Sequence, residues 1–170
     1  MALVTALEVA IKATLSKSKD LGNIPTSALD FFKRVEMLSG VAAGQADKLW
    51  YDERTLAAST SEDLDMVGVQ TDDFGDVFSP VRVKCIYLQA LDANVNNVIV
   101  GGAASNAWAA LLGATGTLTL RPGAYAMVGS GKADATGYVC AAGATDLLKV
   151  ANAAAGSSVN YQIIIIGASA

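Results

Sequence analysis

Leu3, Leu7 and Ile11 recur at every fourth position, with Val4, Ala10 and Leu15 beside them and Ala and Lys among the rest. That spacing lays an apolar stripe along one helix face and predicts a first helix. Asp20-Leu21-Gly22-Asn23 ends it, and Pro25 restarts the chain. A second helix is predicted from Ser27, a good N-cap with Asp30 at N3, to Gly40 at the C′ position. Leu29, Phe32, Val35, Met37 and Leu38 would line its buried side. Two fates are open to these helices: packing on their own domain, or, for the first, reaching out as an arm that docks on a neighbour.

From Arg54 onward the period changes to two. Leu64 and Met66 alternate with acidic residues, and stretches 81–91, 95–100, 116–121, 124–129, 137–142, 146–151 and 158–166 are rich in Val, Ile, Leu, Thr and Tyr. Turn signals separate them, among them Asp92 to Asn97, Arg121-Pro122-Gly123 and Ala155-Gly156-Ser157. Within 81–89, the polar Arg82, Lys84 and Gln89 are assigned to one face and Val81, Val83, Cys85 and Tyr87 to the other, which predicts one polar and one apolar face. Short strands at spacings of about 8–12 residues indicate a sandwich or jelly roll. No βαβ alternation and no internal repeat is visible. The predicted fold is mainly β: a jelly-roll-like antiparallel β-sandwich over 54–170, preceded by an α-helical N-terminal arm and linker over 1–53.

Charge sharpens this division. Residues 1–78 hold 13 acidic and 7 basic side chains, whereas 79–170 hold 3 acidic and 5 basic, only 8 charges in 92 positions. Solvated monomers ordinarily keep apart through surface charge, so a body this poor in charge either covers its outside with Gly, Ala, Ser, Thr and Asn or is buried against other subunits, and both together are expected. At 170 residues, 52% hydrophobic and 16% charged, the chain has the length of one domain and is too apolar for disorder. A net charge of −4 and a pI near 4.7 provide no basic footprint for nucleic acid.

The absence of histidine removes Ser-His-Asp and Cys-His catalysis and the commonest nitrogen ligand of zinc. Cys85 and Cys140 lack CxxC spacing; they are read as two small core residues or as one disulfide. The start of the chain lacks the basic leader of a signal peptide, and the longest late apolar run, Ile163 to Ile166, is far short of the ~20 residues of a membrane span. Synthesis in the cytoplasm without processing is therefore expected. Gly129-Ser130-Gly131-Lys132 suggests a phosphate loop, but Ala126 and Ala133 occupy the places of the Walker glycine and hydroxyl residue, and a hairpin tip fits better. The carboxylates of Glu62 to Asp65 and Asp72 to Asp76 fit neither an EF-hand nor a glycosidase with sugar-stacking aromatics. Trp50 and Tyr51, beside Asp52-Glu53-Arg54, can be an interface anchor or a staple between arm and body. Trp108 is a further candidate contact.

The run Gln45-Ala46-Asp47-Lys48-Leu49-Trp50, with Arg54-Thr55-Leu56-Ala57-Ala58 and Leu64-Asp65, resembles small structural proteins of tailed-phage virions. So do Val83 to Tyr87, Val100-Gly101-Gly102, Arg121-Pro122-Gly123, Asp146 to Val150 and the closing Tyr161 to Gly167. The resemblance implies a capsid decoration (cement) protein. Such a protein forms a homo-oligomer, with a trimer favoured over a dimer, on the capsid exterior and bridges neighbouring major capsid proteins. Leu3, Leu7, Ile11, Trp50 and Trp108 are the expected partner contacts. No catalytic, cofactor-binding or metal-binding residue is expected, the chain is read as a non-enzyme, and neither nucleic acid nor membrane is an expected partner. The alternative is a tail or baseplate module that binds glycans through Trp108 and Tyr125, with Asn106 nearby.

Overall fold

The computed structural model describes residues 2–170. Its N-terminal segment is a β-hairpin, not a helical arm. Strand β1 (Thr5–Ser16) runs antiparallel to β2 (Thr26–Ser39), with Leu7 opposite Val35, Ile11 opposite Phe31 and Leu15 opposite Ser27. Positions four apart share a face in a strand as well as in a helix, and Leu3, Leu7, Ile11 and Leu15 are all odd-numbered, whereas Val4 and Ala10 are even-numbered and exposed. In β2 the odd positions Leu29, Phe31, Val35 and Met37 alternate with Asp30, Arg34 and Glu36, a period the helix reading overrides by grouping Phe32 and Leu38 with Val35. Both of those even-numbered side chains are exposed. The ladder also brings opposite charges together on the even face: Arg34 lies 2.9 Å from Glu8, and Lys12 lies 3.2 Å from Asp30.

The body is a two-sheet sandwich. A short β3 (Gln45–Ala46) pairs parallel with the end of β2 and leads into β4 (Lys48–Leu56) and β5 (Ser61–Asp65). Then come β6 (Arg82–Ala90), β7 (Val98–Gly101), the single turn of helix α1 (Ala109–Leu112), β8 (Thr117–Leu120) and β9 (Tyr125–Gly129). The chain ends with β10 (Tyr138–Val139), β11 (Leu147–Asn152) and β12 (Val159–Ala168). One sheet runs β10-β6-β12-β4, with β9 also on β6, and the other runs β5-β11-β7-β8. Between them lies the core, with Trp50, Leu64, Phe78, Ile86, Val98, Val150, Tyr161, Ile163 and Ile165 among its members.

Local sequence explains several joints. Arg121-Pro122-Gly123-Ala124 closes a tight turn with a 2.8 Å bond from the Ala124 N–H to the Arg121 carbonyl. Gly123 sits at φ 76°, a turn position that favours glycine, and a Cβ there would also displace the Asp92 carboxylate, whose Oδ1 would lie 2.3 Å away. Lys84 departs from the predicted alternation. The partners of β12 jump from Cys85 to Val83 across a bulge, which frees Lys84 to bury itself and donate to the Asp134 carbonyl at 3.0 Å. Loss of hydration lowers the pKa of its ammonium.

The base of the hairpin is bound to this body. Leu3, Leu7 and Val35 pack with Met37, Ala46, Cys85 and Ile166 in a second, smaller apolar cluster on the outer face of the β4–β12–β6 sheet. Beyond Val9 on β1 and before Val35 on β2, every residue is exposed.

Candidate assembly interface

Seven residues of β1 beyond Val9 extend the ribbon roughly 20–25 Å past the body at ~3.3 Å per residue. This distal half retains an apolar face: Ile11, Leu15, Leu29 and Phe31 are 51%, 76%, 55% and 46% exposed. Phe32 is exposed on the other face. A lone two-stranded ribbon is marginal in water, and contiguous exposed apolar surface of this kind marks an interaction site. At its tip, Asp20–Gly22 form one 3-10 turn, and Leu21 stands fully exposed at φ 65°.

The outer face of the five-stranded sheet continues where the hairpin base leaves it. Tyr51, Ile164, Tyr87 and Met127 form one register row across β4, β12, β6 and β9. Tyr87 and Tyr125 stack with ring centroids 6.1 Å apart. Burial is the main cause of the upward shift in the Tyr87 phenol pKa. Beside this row lies a groove of about 240 Å³ lined by Ala2, Leu3, Leu49, Trp50, Tyr51 and Phe74, with Asp47, Asp72 and Asp73 among its lining carboxylates. Asp72 shapes its wall: Oδ1 accepts the Phe74 and Asp76 N–H groups at 2.9 and 3.0 Å, an Asx turn that leaves Phe74 outside. The Tyr51 hydroxyl donates to Asp73, a contact that raises its pKa.

Of the residues expected to make contacts, Leu3 and Leu7 pack under the hairpin base, and Ile11 is exposed on the distal face. Trp50 is buried against Phe78 with ring centroids 6.1 Å apart; it is a core staple and offers little surface. Trp108 is 4% exposed, its indole N–H donates to the Val139 carbonyl at 3.0 Å, and Tyr138 meets it edge-on. It therefore provides no sugar platform with Tyr125, which lies on the outer face of β9. Cys85 and Cys140 are free and buried, one under the hairpin and one in the main core. Burial pushes their thiols up to about 11 and about 12. Among the described residues, no group of three or more Cys, Asp or Glu side chains is placed to hold a metal.

The sequence pattern alone does not single out Leu21, Phe74 or Leu49 as contacts. The available signal is an apolar residue inside a polar turn: Leu21 in Asp20-Leu21-Gly22-Asn23, and Phe74 in Asp72-Asp73-Phe74-Gly75.

No known family matches the chain, and no curated protein does. Among solved structures it is similar to a chain from work described as "Bacillus endospore appendages form a novel family of disulfide-linked pili". The TM-score is 0.34 and the identity 16%, with 78% of this chain and 98% of that one covered. The match is to spore pili and not to a virion protein. It overturns the expected phage identity: the decoration of a capsid, the tail or baseplate alternative, the major capsid partner and the capsid-exterior location. The helical arm meant to grip a capsid is absent as well, because its apolar stripe belongs to a β-ribbon. At that TM-score the likeness carries nothing further about this chain.

Proposed function

We propose that the protein is a self-assembling structural subunit, made of a hairpin arm and a rigid β body, whose copies are joined through the hairpin. The observation that carries this reading is the exposed distal ribbon, where cross-strand apolar pairs such as Ile11–Phe31 have no cover within the chain. The body is read as a jelly roll. Counting β4, β5, β6, β7, β8, β9, β11 and β12 as first to eighth, one sheet runs first-eighth-third-sixth and the other second-seventh-fourth-fifth. A scaffold of this kind holds the hairpin base fixed, and the reading assigns no catalytic group.

The test is solution mass by light scattering over a concentration series. Wild type should grow with concentration, as discrete trimers or dimers if the assembly closes and as a continuous distribution if it does not. Ile11→Lys with Phe31→Glu replaces an apolar cross-strand pair by an ionic one, so the ribbon stays paired while its apolar face is lost. This variant should remain a monomer. A variant that assembles like wild type would remove the hairpin from the interface.

A further inference from the structure

We propose that the hairpin tip of one copy, led by Leu21, seats in the groove of the next copy between Leu3, Leu49, Tyr51 and Phe74, head to tail. This rests on the self-assembly reading above and names the surface that receives the arm.

The tip is shaped as a plug. Leu21 projects at positive φ, a backbone region that non-glycine residues other than Asn and Asp seldom adopt. An apolar side chain held there gains nothing from solvent. Ile24 is also exposed, and Lys17 and Lys19 flank the turn. The groove offers the complementary chemistry, an apolar lining with Asp47, Asp72 and Asp73 close by and Phe74, 77% exposed, at its wall.

Net charges point the same way. Residues 10–34 carry five basic and two acidic side chains, net +3, whereas residues 40–78 carry two basic and nine acidic, net −7. Arm and receiving region therefore attract, which favours and orients the encounter.

Geometry excludes the arm's own groove. Leu3 lies at the base of the ribbon, and the twelve residues of β1 hold the tip roughly 35–40 Å away at ~3.3 Å per residue. A tip seated in this groove must therefore belong to a second copy. Tip and groove are different surfaces, so the contact is heterologous and each docked copy leaves one tip and one groove free.

Two variants separate plug from socket. Leu21→Asp spoils the tip and tolerates its positive φ. Asp73→Lys with Phe74→Lys spoils the groove at two exposed positions and leaves the turn-forming Asp72 in place. Each alone should raise the concentration for half-assembly about tenfold or more, as loss of one buried apolar contact does. Mixed together, they should form a 1:1 dimer and nothing larger, since only one good plug and one good socket remain. High salt should weaken that dimer.

A groove variant that assembles like wild type, or a mixture that stays monomeric, overturns the plug-and-socket contact. If Leu21→Asp assembles normally while Ile11→Lys/Phe31→Glu does not, the hairpin joins copies by its face and the tip inference alone fails. If all variants assemble normally, or wild type never assembles, both readings fail.

Discussion

The hairpin and the sandwich are written in the same two-residue alternation, yet they treat their apolar faces differently. In β11 every second side chain from Leu148 to Asn152 is buried between two sheets. In β1 the alternation reaches half-burial only as far as Val9 and then continues uncovered to Ser16. Alternation specifies a face; whatever covers that face is supplied by the rest of the chain or by another molecule. The body supplies its own cover, and the distal ribbon has none.

The sharpest way to break this comparison is to cut one large aromatic from each region and measure unfolding of dilute protein by denaturant titration. Trp108→Ala removes a core side chain and leaves the Val139 carbonyl without its indole donor, so it should cost about 3–5 kcal/mol. Phe31→Ala removes a side chain that is 46% exposed and should cost within about 0.5 kcal/mol. Comparable losses would mean that the isolated chain already covers its hairpin.

A second contrast concerns charge. At one end of the sandwich Glu62 accepts from the Arg54 guanidinium at 2.6 and 3.0 Å and from the buried Tyr161 hydroxyl at 2.8 Å, tying β4, β5 and β12 together. Burial, aided by this contact, drives the Tyr161 pKa far up, and Glu62 is the main cause of the rise at Arg54. Glu62→Gln weakens all three bonds and leaves a part-buried guanidinium with Asp52, at 2.9 Å, as its one charged partner. The expected loss is about 1–3 kcal/mol, since the Arg54 and Glu62 side chains are only partly buried and retain some water.

How much of this was legible follows from the same physics. The seven strands predicted from 81 to 166 all exist, within a few residues, because turn signals such as Arg121-Pro122-Gly123 frame them. The sequence reading takes the hairpin for helices because residues four apart satisfy both periods, and the capping residues Ser27 and Gly40 favour the helix. Charge alternation across Asp30, Arg34 and Glu36 was the arbiter. The linker expected before Arg54 is largely β4, whose outward Tyr51 and Glu53 obscure the buried Trp50 and Leu56. The groove was not legible, because Leu3, Leu49 and Phe74 come from separated segments that only the fold assembles.

The two thiols provide a pH contrast. In the native chain Cys85 and Cys140 are raised from 9.0 to about 11 and about 12. Folded protein therefore keeps protons that the unfolded chain gives up. Stability from this source is whole below about pH 9 and is lost as pH rises through about 11–12. Melting temperature should fall steadily above pH 9. Cys140→Ala, which removes the group with the larger rise, should flatten that fall, although its cavity lowers stability at neutral pH. Cys85→Ala should flatten it less. An equally steep alkaline decline in both variants would assign it to the tyrosines instead.

The smallest effect belongs to the charged face of the hairpin. Lys12 and Asp30 lie directly across the ladder, 3.2 Å apart, but their side chains are 74% and 67% exposed. Water screens such a pair and its two flexible side chains lose freedom on meeting, so exposed pairs contribute about 0–1 kcal/mol. Lys12→Ala should leave the body's unfolding midpoint unchanged. It should speed amide exchange only in the distal ribbon, where residues 10 to 34 open without disturbing either core. Exchange that accelerates in β6 or β12 would show that ribbon and body open together. The same result would mean that the uncovered half of the hairpin is energetically part of the sandwich, contrary to the difference drawn between them.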